Sequence, residues 1–223
     1  MKSEHSNGAP KVSLLGTLAV LFEAPGAFEL VAQQRIWALA DIVREWPEVL
    51  EAVPGVTNLM VAWREAPQDV EEYRGALLSA WERALPKEMS GRTIEIPVVY
   101  GGARAIDLAA VAAHTGLDRR EIIEIHSRVD YTVCAVGSAP GFGYLHGLDV
   151  RLACPRKSVP TLRVPAGAVS IGGMQTGVSV VTSPNGWNVI GQADVSMFDV
   201  GREPPSLLSA GDRVRFVIER IDA

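Results

Sequence analysis

Gly137-Ser-Ala-Pro-Gly-Phe-Gly-Tyr-Leu-His-Gly147 is the stretch whose reading decides the fold. Glycine reaches backbone conformations closed to other residues and proline fixes φ, so glycines set around Pro140 specify a shaped loop that presents Phe142 and Tyr144. Outward from it, the region His126 to Trp187 adds Arg163-Val-Pro-Ala-Gly167, Gly172-Gly-Met-Gln-Thr-Gly177 and Ser183-Pro-Asn-Gly-Trp187. Each is a short turn-forming segment between apolar, β-branched runs, a rhythm that predicts a β-barrel or sandwich carrying loops. The alternating Arg213-Val-Arg-Phe-Val-Ile218, after a Gly211-Asp212 turn, supplies a last strand.

Upstream the periodicity changes. Residues 1–10 read as frayed, and Val12 to Glu23 as a first strand. From Glu29 to Trp46, Ala32, Ile36, Leu39, Ala40, Val43 and Trp46 recur at helical spacing, with Gln33, Arg35, Asp41 and Arg44 outward. A strand over Val56–Trp63 and a helix from about Pro67 follow. Asp69, Glu71 and Glu72 sit in that helix's early turns, and Val70, Tyr73, Leu77, Trp81 and Leu85 form its buried stripe. With a third strand, Thr93 to Tyr100, these make an α+β layer with helices on one sheet face. Tyr100-Gly-Gly102 reads as a hinge or boundary. Beyond it, Asp107 can cap a helix closing at Gly116, and Asp118-Arg-Arg-Glu121 is a capping box for the next. In that second helix Ile122, Ile125 and His126 share a face, so the imidazole points inward.

A net charge of -5 over 223 residues, a pI near 5.4 and no long basic run argue against nucleic acid or an anionic membrane surface as the main partner. No stretch approaches the roughly 20 apolar residues that a spanning helix needs. The apolar run Val12–Phe22 contains Ser13, Gly16 and Thr17 and leads into a helix pattern, which reads as a strand rather than a leader. Cys134 and Cys154 match neither a disulfide framework nor a metal-ligand pair and fit a reducing cytoplasm. No two histidines have metal-ligand spacing, so no metal site is expected.

Among candidate groups, His126 fits a general acid or base and equally a core histidine bonded to a backbone carbonyl. Arg163 would hold a carboxylate or phosphate if it faces the loop cluster, and is a solvated edge charge if not. Gly172–Gly177 lacks the Lys-Ser/Thr of a phosphate-binding P-loop and reads as a β-turn with a bulge, yet Gln175 and Thr176 are polar handles suited to an amide or carboxylate. Trp187 is most simply a core or rim aromatic, with a ligand platform as the other reading. Ser138 and Ser183 belong to no nucleophile motif.

Taken in order, Pro97-Val-Val-Tyr-Gly-Gly102, Ile125-His-Ser127, Ala139-Pro-Gly-Phe-x-Tyr-Leu145, Arg163-Val-Pro-Ala-Gly167, Gln175-Thr-Gly177, Ser183-Pro-x-Gly-Trp187, Ile190-Gly191 and Phe198-Asp199 closely resemble the allophanate hydrolase subunit 1 (KipI) family, which includes the B subunit of bacterial ATP-dependent 5-oxoprolinase. The match covers about residues 95–218. The resemblance implies an α+β fold: a small N-terminal domain of ferredoxin-like layout over 1–98, then a cyclophilin-like β-barrel over 99–223. It implies ATP-dependent opening of 5-oxoproline to glutamate in a complex with a homologous C subunit (allophanate hydrolase subunit 2 type) and an A subunit. ATP, with any Mg it carries, would bind here or on a partner. Phosphorylating the oxygen of a resonance-stabilised lactam makes it a better electrophile, and cationic and amide donors suit such a site. On this resemblance His126 is the proton-transfer or orienting residue. Pro140, Gly141, Phe142 and Tyr144 form the wall, and Arg163, Gln175, Thr176 and Trp187 are further contacts. Inhibition of a histidine kinase, as by KipI-type members, and hydrolysis of allophanate or another urea derivative are the alternatives. Two departures bear on the substrate. Ser138, Gly143 and His146 interrupt the usual glycine-loop pattern, and Gly191-Gln192-Ala193-Asp194 stands where Gly-Arg-Thr-Pro is usual, which removes a fixed positive charge.

Overall fold

A computed structural model describes residues 8–222 of the chain; most of the stretch expected to fray, 1–10, lies outside the described residues. The chain divides into two compact units between Met89 and Ser90.

The first unit runs β1 (Lys11–Leu15), β2 (Ala19–Glu23), α1 (Leu30–Arg44), β3 (Val49–Pro54), β4 (Asn58–Trp63) and α2 (Val70–Arg83). Its antiparallel sheet has the order β1-β2-β4-β3. This is the ferredoxin-like arrangement in permuted form: β2-α1-β3 is a split β-α-β unit around β4, and the strand that would close such a domain comes first. The single strand expected over Val12–Glu23 is a hairpin, because Gly16 takes φ 64° and Leu15 pairs with Ala19. Val12, Phe22, Ile36, Leu39, Val61, Leu77 and Trp81 pack in one core. Gln33, expected outward, is fully buried. Its amide donates to Gly55 O at 2.9 Å and accepts the Thr57 N–H at 2.8 Å, satisfying the β3–β4 turn that faces it. Leu85, expected in the buried stripe, is exposed because α2 has already ended at Arg83.

The second unit comprises β5 (Thr93–Gly101), α3 (Leu108–Thr115), α4 (Arg119–Ser127), β6 (Asp130–Val136), β7 (Gly143–His146), β8 (Thr161–Val164), β9 (Ala168–Gly172), β10 (Gln175–Val178), β11 (Ser183–Asn185), β12 (Asn188–Gln192) and β13 (Arg213–Asp222). Seven strands close into a barrel in the order β10-β7-β6-β13-β5-β12-β9, and β8 and β11 form a separate ribbon. The strand read as the third of the N-terminal layer is therefore a barrel stave: β5 pairs in parallel with β13 from Thr93 to Gly101, so the division falls before it rather than at 98/99. Nor are Gly101 and Gly102 a hinge. Gly101 has φ 78°, and a Cβ there would lie 2.2 Å from the Asp222 carbonyl oxygen, so glycine lets the two strands approach. The Gly211-Asp212 turn is sealed by the buried Asp212 carboxylate, which accepts from Arg92 N (2.9 Å), Arg92 Nη2 (2.8 Å) and Ser209 N (2.9 Å). Ile96, Val98, Val133, Leu145, Val169, Ile171, Val214 and Phe216 fill the interior. Among the described residues no helix is long and apolar enough to cross a membrane.

The helix α3 ends at Gly116 in the left-handed conformation, and α4 carries the full Asp118–Glu121 capping box, both as the sequence predicts. Asp107 precedes α3 without capping it. Its carboxylate instead accepts the Val189 N–H at 2.8 Å and a Lys157 Nζ proton at 2.6 Å.

Candidate functional site

The loop 137–142 is shorter than expected, since β7 begins at Gly143. Ala139-Pro-Gly-Phe142 is a β-turn closed by Phe142 N–H to Ala139 O at 3.0 Å, with Gly141 at φ 84° in the position that requires it. A Cβ on Gly141 would meet the Met197 carbonyl at 2.6 Å. Ser138, a non-glycine at φ 69°, holds a conformation that costs of order 1 kcal/mol. The second wall is the turn after β11, where Asn185 Oδ1 accepts the Trp187 N–H at 2.8 Å. A third segment, 155–157, is tied at both ends: Asn188 Nδ2 donates to Pro155 O at 2.9 Å, and Lys157 N–H donates to Gly186 O at 2.7 Å.

These segments enclose a cleft of about 210 Å³ lined by Phe142, Tyr144 and Trp187, with Arg156, Ser138, Ser183 and Asn185 among the polar groups. The rings meet edge to face, Phe142 to Tyr144 at 5.0 Å and Phe142 to Trp187 at 6.0 Å. Two glycines of the barrel wall make room for them. A Cβ on Gly172 would lie 2.5 Å from the Trp187 ring, and one on Gly177 would lie 3.2 Å from Phe142. Alternation along β10 puts Gln175 and Gly177 on this outer face and Thr176 inside. Arg156 holds its guanidinium 5.6 Å from the Trp187 ring centroid, within cation–π range.

His126 lies on the other side of that wall. The ring is fully buried in the barrel interior, stacked on Phe216 at 4.7 Å. Its Nδ1 is 2.7 Å from Tyr100 OH and its Nε2 is 2.8 Å from Thr176 Oγ1. Burial pushes its pKa down from 6.5 to about 3, which keeps the imidazole neutral. A neutral ring with both nitrogens engaged and no exposure has no proton to exchange with the cleft, so the proton-transfer expectation does not fit this geometry.

The predicted residues thus separate. Phe142, Tyr144 and Trp187 meet at the cleft, and Pro140 and Gly141 line a shallower depression that shares Ser138 and Ala139 with it. Thr176 faces the interior. Gln175 sits on the outer face of β10, its Nε2 buried without a hydrogen-bond partner among the described residues. Arg163 is exposed on β8, the solvated-edge alternative, because β8 belongs to the outlying ribbon rather than the barrel. Sequence reading missed Arg156. Its one cue was a basic pair, Arg156-Lys157, between Pro155 and Pro160.

Comparison with known proteins accords with this architecture. The family described as carboxyltransferase domain, subdomain C and D, matches residues 10–208. A protein of Escherichia coli O157:H7, named as the B subunit of 5-oxoprolinase, is 45% identical over 207 residues, covering 93% of this chain and 95% of that one. The chain belongs to the family of 5-oxoprolinase B subunits. Within solved structures, TTHA0988 is 35% identical with a TM-score of 0.72; the match covers 92% of this chain, which spans only 40% of TTHA0988. The Kluyveromyces lactis urea amidolyase superposes with a TM-score of 0.79 at 18% identity, over 98% of this chain and 15% of that one, a likeness of fold alone.

In this member of the 5-oxoprolinase B subunits Gln192 has a structural part: its amide donates to Ala166 O at 2.7 Å and Ala193 O at 3.1 Å. At about 210 Å³ the cleft lies below the roughly 300–1,000 Å³ of drug-sized sites and encloses little room for ATP. Gly172–Gly177 offers it no cradle either, since that segment is the β9–β10 hairpin with Gln175 paired to Gly172.

Proposed function

We propose that this chain is an enzyme component, the B subunit of an ATP-dependent 5-oxoprolinase that opens 5-oxoproline to glutamate together with C-type and A-type partner subunits. The observation that carries it is 45% identity to a protein named as a 5-oxoprolinase B subunit along nearly the whole of both chains. The cleft is consistent with that role, because a small aromatic-walled site with a few polar groups suits a five-membered lactam better than a peptide or a nucleotide. The nucleotide belongs to one of the partners on this reading. The lactam amide must be activated before water can open it, and this chain contributes by holding and orienting the ring.

The test is reconstitution. The purified chain, mixed with the partner subunits, ATP and Mg, should release glutamate from 5-oxoproline, with none released when this chain or ATP is left out. Absence of glutamate from the complete mixture, or glutamate formed equally well without this chain, rejects the proposal.

A further inference from the structure

Arg156 is the one charged side chain among the described residues that line the cleft, in a chain whose net charge is -5. It forms no ion pair with any described residue, whereas Arg44, Arg92, Arg151 and Arg215 each hold a carboxylate. The backbone on both sides of it is fixed, by Asn188 on Pro155 and by Gly186 on Lys157, and its guanidinium is held near the Trp187 ring. An uncommitted fork of N–H donors, on an exposed side chain carried by a fixed backbone at the edge of an apolar wall, suits one carboxylate on a compact apolar frame. Ser138 and Ser183 supply hydroxyls that can donate to a carbonyl or accept from an N–H on the same frame.

We infer that Arg156 anchors the carboxylate of a small cyclic amide whose ring lies against Phe142, Tyr144 and Trp187, and so selects carboxylated lactams over neutral ones. The inference rests on the proposed function for the identity of the ring, 5-oxoproline. It adds the residue that recognises the substrate and the reason a neutral lactam is refused.

The test compares 5-oxoproline with 2-pyrrolidinone, the same ring without the carboxylate, using calorimetric titration of the full chain alone and turnover by the complex. Losing a bidentate charge-assisted contact should weaken 5-oxoproline binding by about 10- to 100-fold in Arg156→Gln and leave 2-pyrrolidinone unchanged. In the complex the same variant should raise KM for 5-oxoproline while kcat moves little, with Arg156→Lys recovering part of the loss. Equal affinity of the wild type for both rings, no binding of 5-oxoproline, or a preference that survives Arg156→Gln overturns the inference. Carboxylate selectivity lost in Arg156→Gln without ring opening by the complete complex keeps the site and discards the 5-oxoprolinase reading. Glutamate release that is indifferent to Arg156 does the reverse.

Discussion

The His126 Nε2 and the Thr176 Oγ1 lie 2.8 Å apart across the barrel interior, and the proton between them belongs to the histidine. Thr176 has one hydroxyl proton and gives it to Ser170 O at 3.1 Å, so it accepts from Nε2. Tyr100 then donates to Nδ1 at 2.7 Å. A relay of three bonds, from β5 through α4 to β10 and β9, is satisfied with the ring neutral. Tyr131 adds a fourth by donating to the His126 carbonyl at 2.9 Å, near the C-terminus of α4. His126 is a brace that joins the helix to staves of the barrel.

Acid should therefore destabilise the barrel through this one residue. Its folded pKa is about 3, below the ordinary 6.5, so between those values the unfolded chain takes up a proton that the folded chain refuses. Stability from the neutral ring is complete above about pH 6.5 and falls by up to about 1.4 kcal/mol per unit as pH drops through that window. In His126→Gln the amide can still accept from Tyr100 and donate to Thr176 without titrating. From pH 7.5 to 5 the unfolding free energy read from urea titrations should drop by about 1–2 kcal/mol more for the wild type than for the variant. Parallel losses in the two proteins would show that the ring is not held neutral.

The wall between brace and cleft depends on two bare positions. Gly172→Ala would push a methyl to 2.5 Å from the Trp187 ring, over which the barrel wall cannot close. Gly177→Ala meets the end of the Phe142 ring at 3.2 Å, a contact a small tilt relieves. We expect Gly172→Ala to cost about 1–3 kcal/mol and to change the near-ultraviolet dichroism of the indole, with Gly177→Ala costing less. Equal costs, or an unchanged indole signal in Gly172→Ala, would mean that Trp187 is not seated on the wall.

How much of this was legible beforehand depended on whether the signal was local. The capping box at Asp118–Glu121, the helical faces and the Ala139–Phe142 turn follow from residues a few positions apart, and the ordered motifs from Pro97 to Asp199 were enough to find the family. Partners set by long-range contact could not be read. The inward turn of His126 was clear from Ile122 and Ile125, but what waited inside were Tyr100 and Thr176, far away in the chain. For Arg163 and Arg156 the strand pairing decides: β8 leaves the barrel, while the loop before it is tied back to Gly186 and Asn188. No spacing rule separates an arginine on the outlying ribbon from one that reaches the cleft seven residues earlier. Gln33 shows the same limit, since a polar residue on an outward-looking face proved to close a turn more than twenty positions on.

The pair Lys157–Asp107 explains how that loop stays in place, and it can be tested without touching the cleft. The two side chains are only 17% and 15% exposed and lie 2.6 Å apart. Asp107 also takes the Val189 N–H, and Lys157 also donates to Thr161 Oγ1 at 2.8 Å, so each charge is hydrogen-bonded beyond its partner. Replacing Lys157 by Met strands a mostly buried carboxylate, and that desolvation costs more than the attraction it once repaid, about 3 kcal/mol in all. Asp107→Asn with Lys157→Met removes both charges and should cost less than the sum of the single changes, leaving a coupling of about 1–3 kcal/mol in a urea-denaturation cycle. Because Arg156 is the neighbouring residue, Lys157→Met should also weaken 5-oxoproline binding severalfold while the double variant recovers part of it. Strictly additive stabilities would mean that the pair is an incidental contact and that the loop is held by its backbone bonds to Gly186 and Asn188 alone.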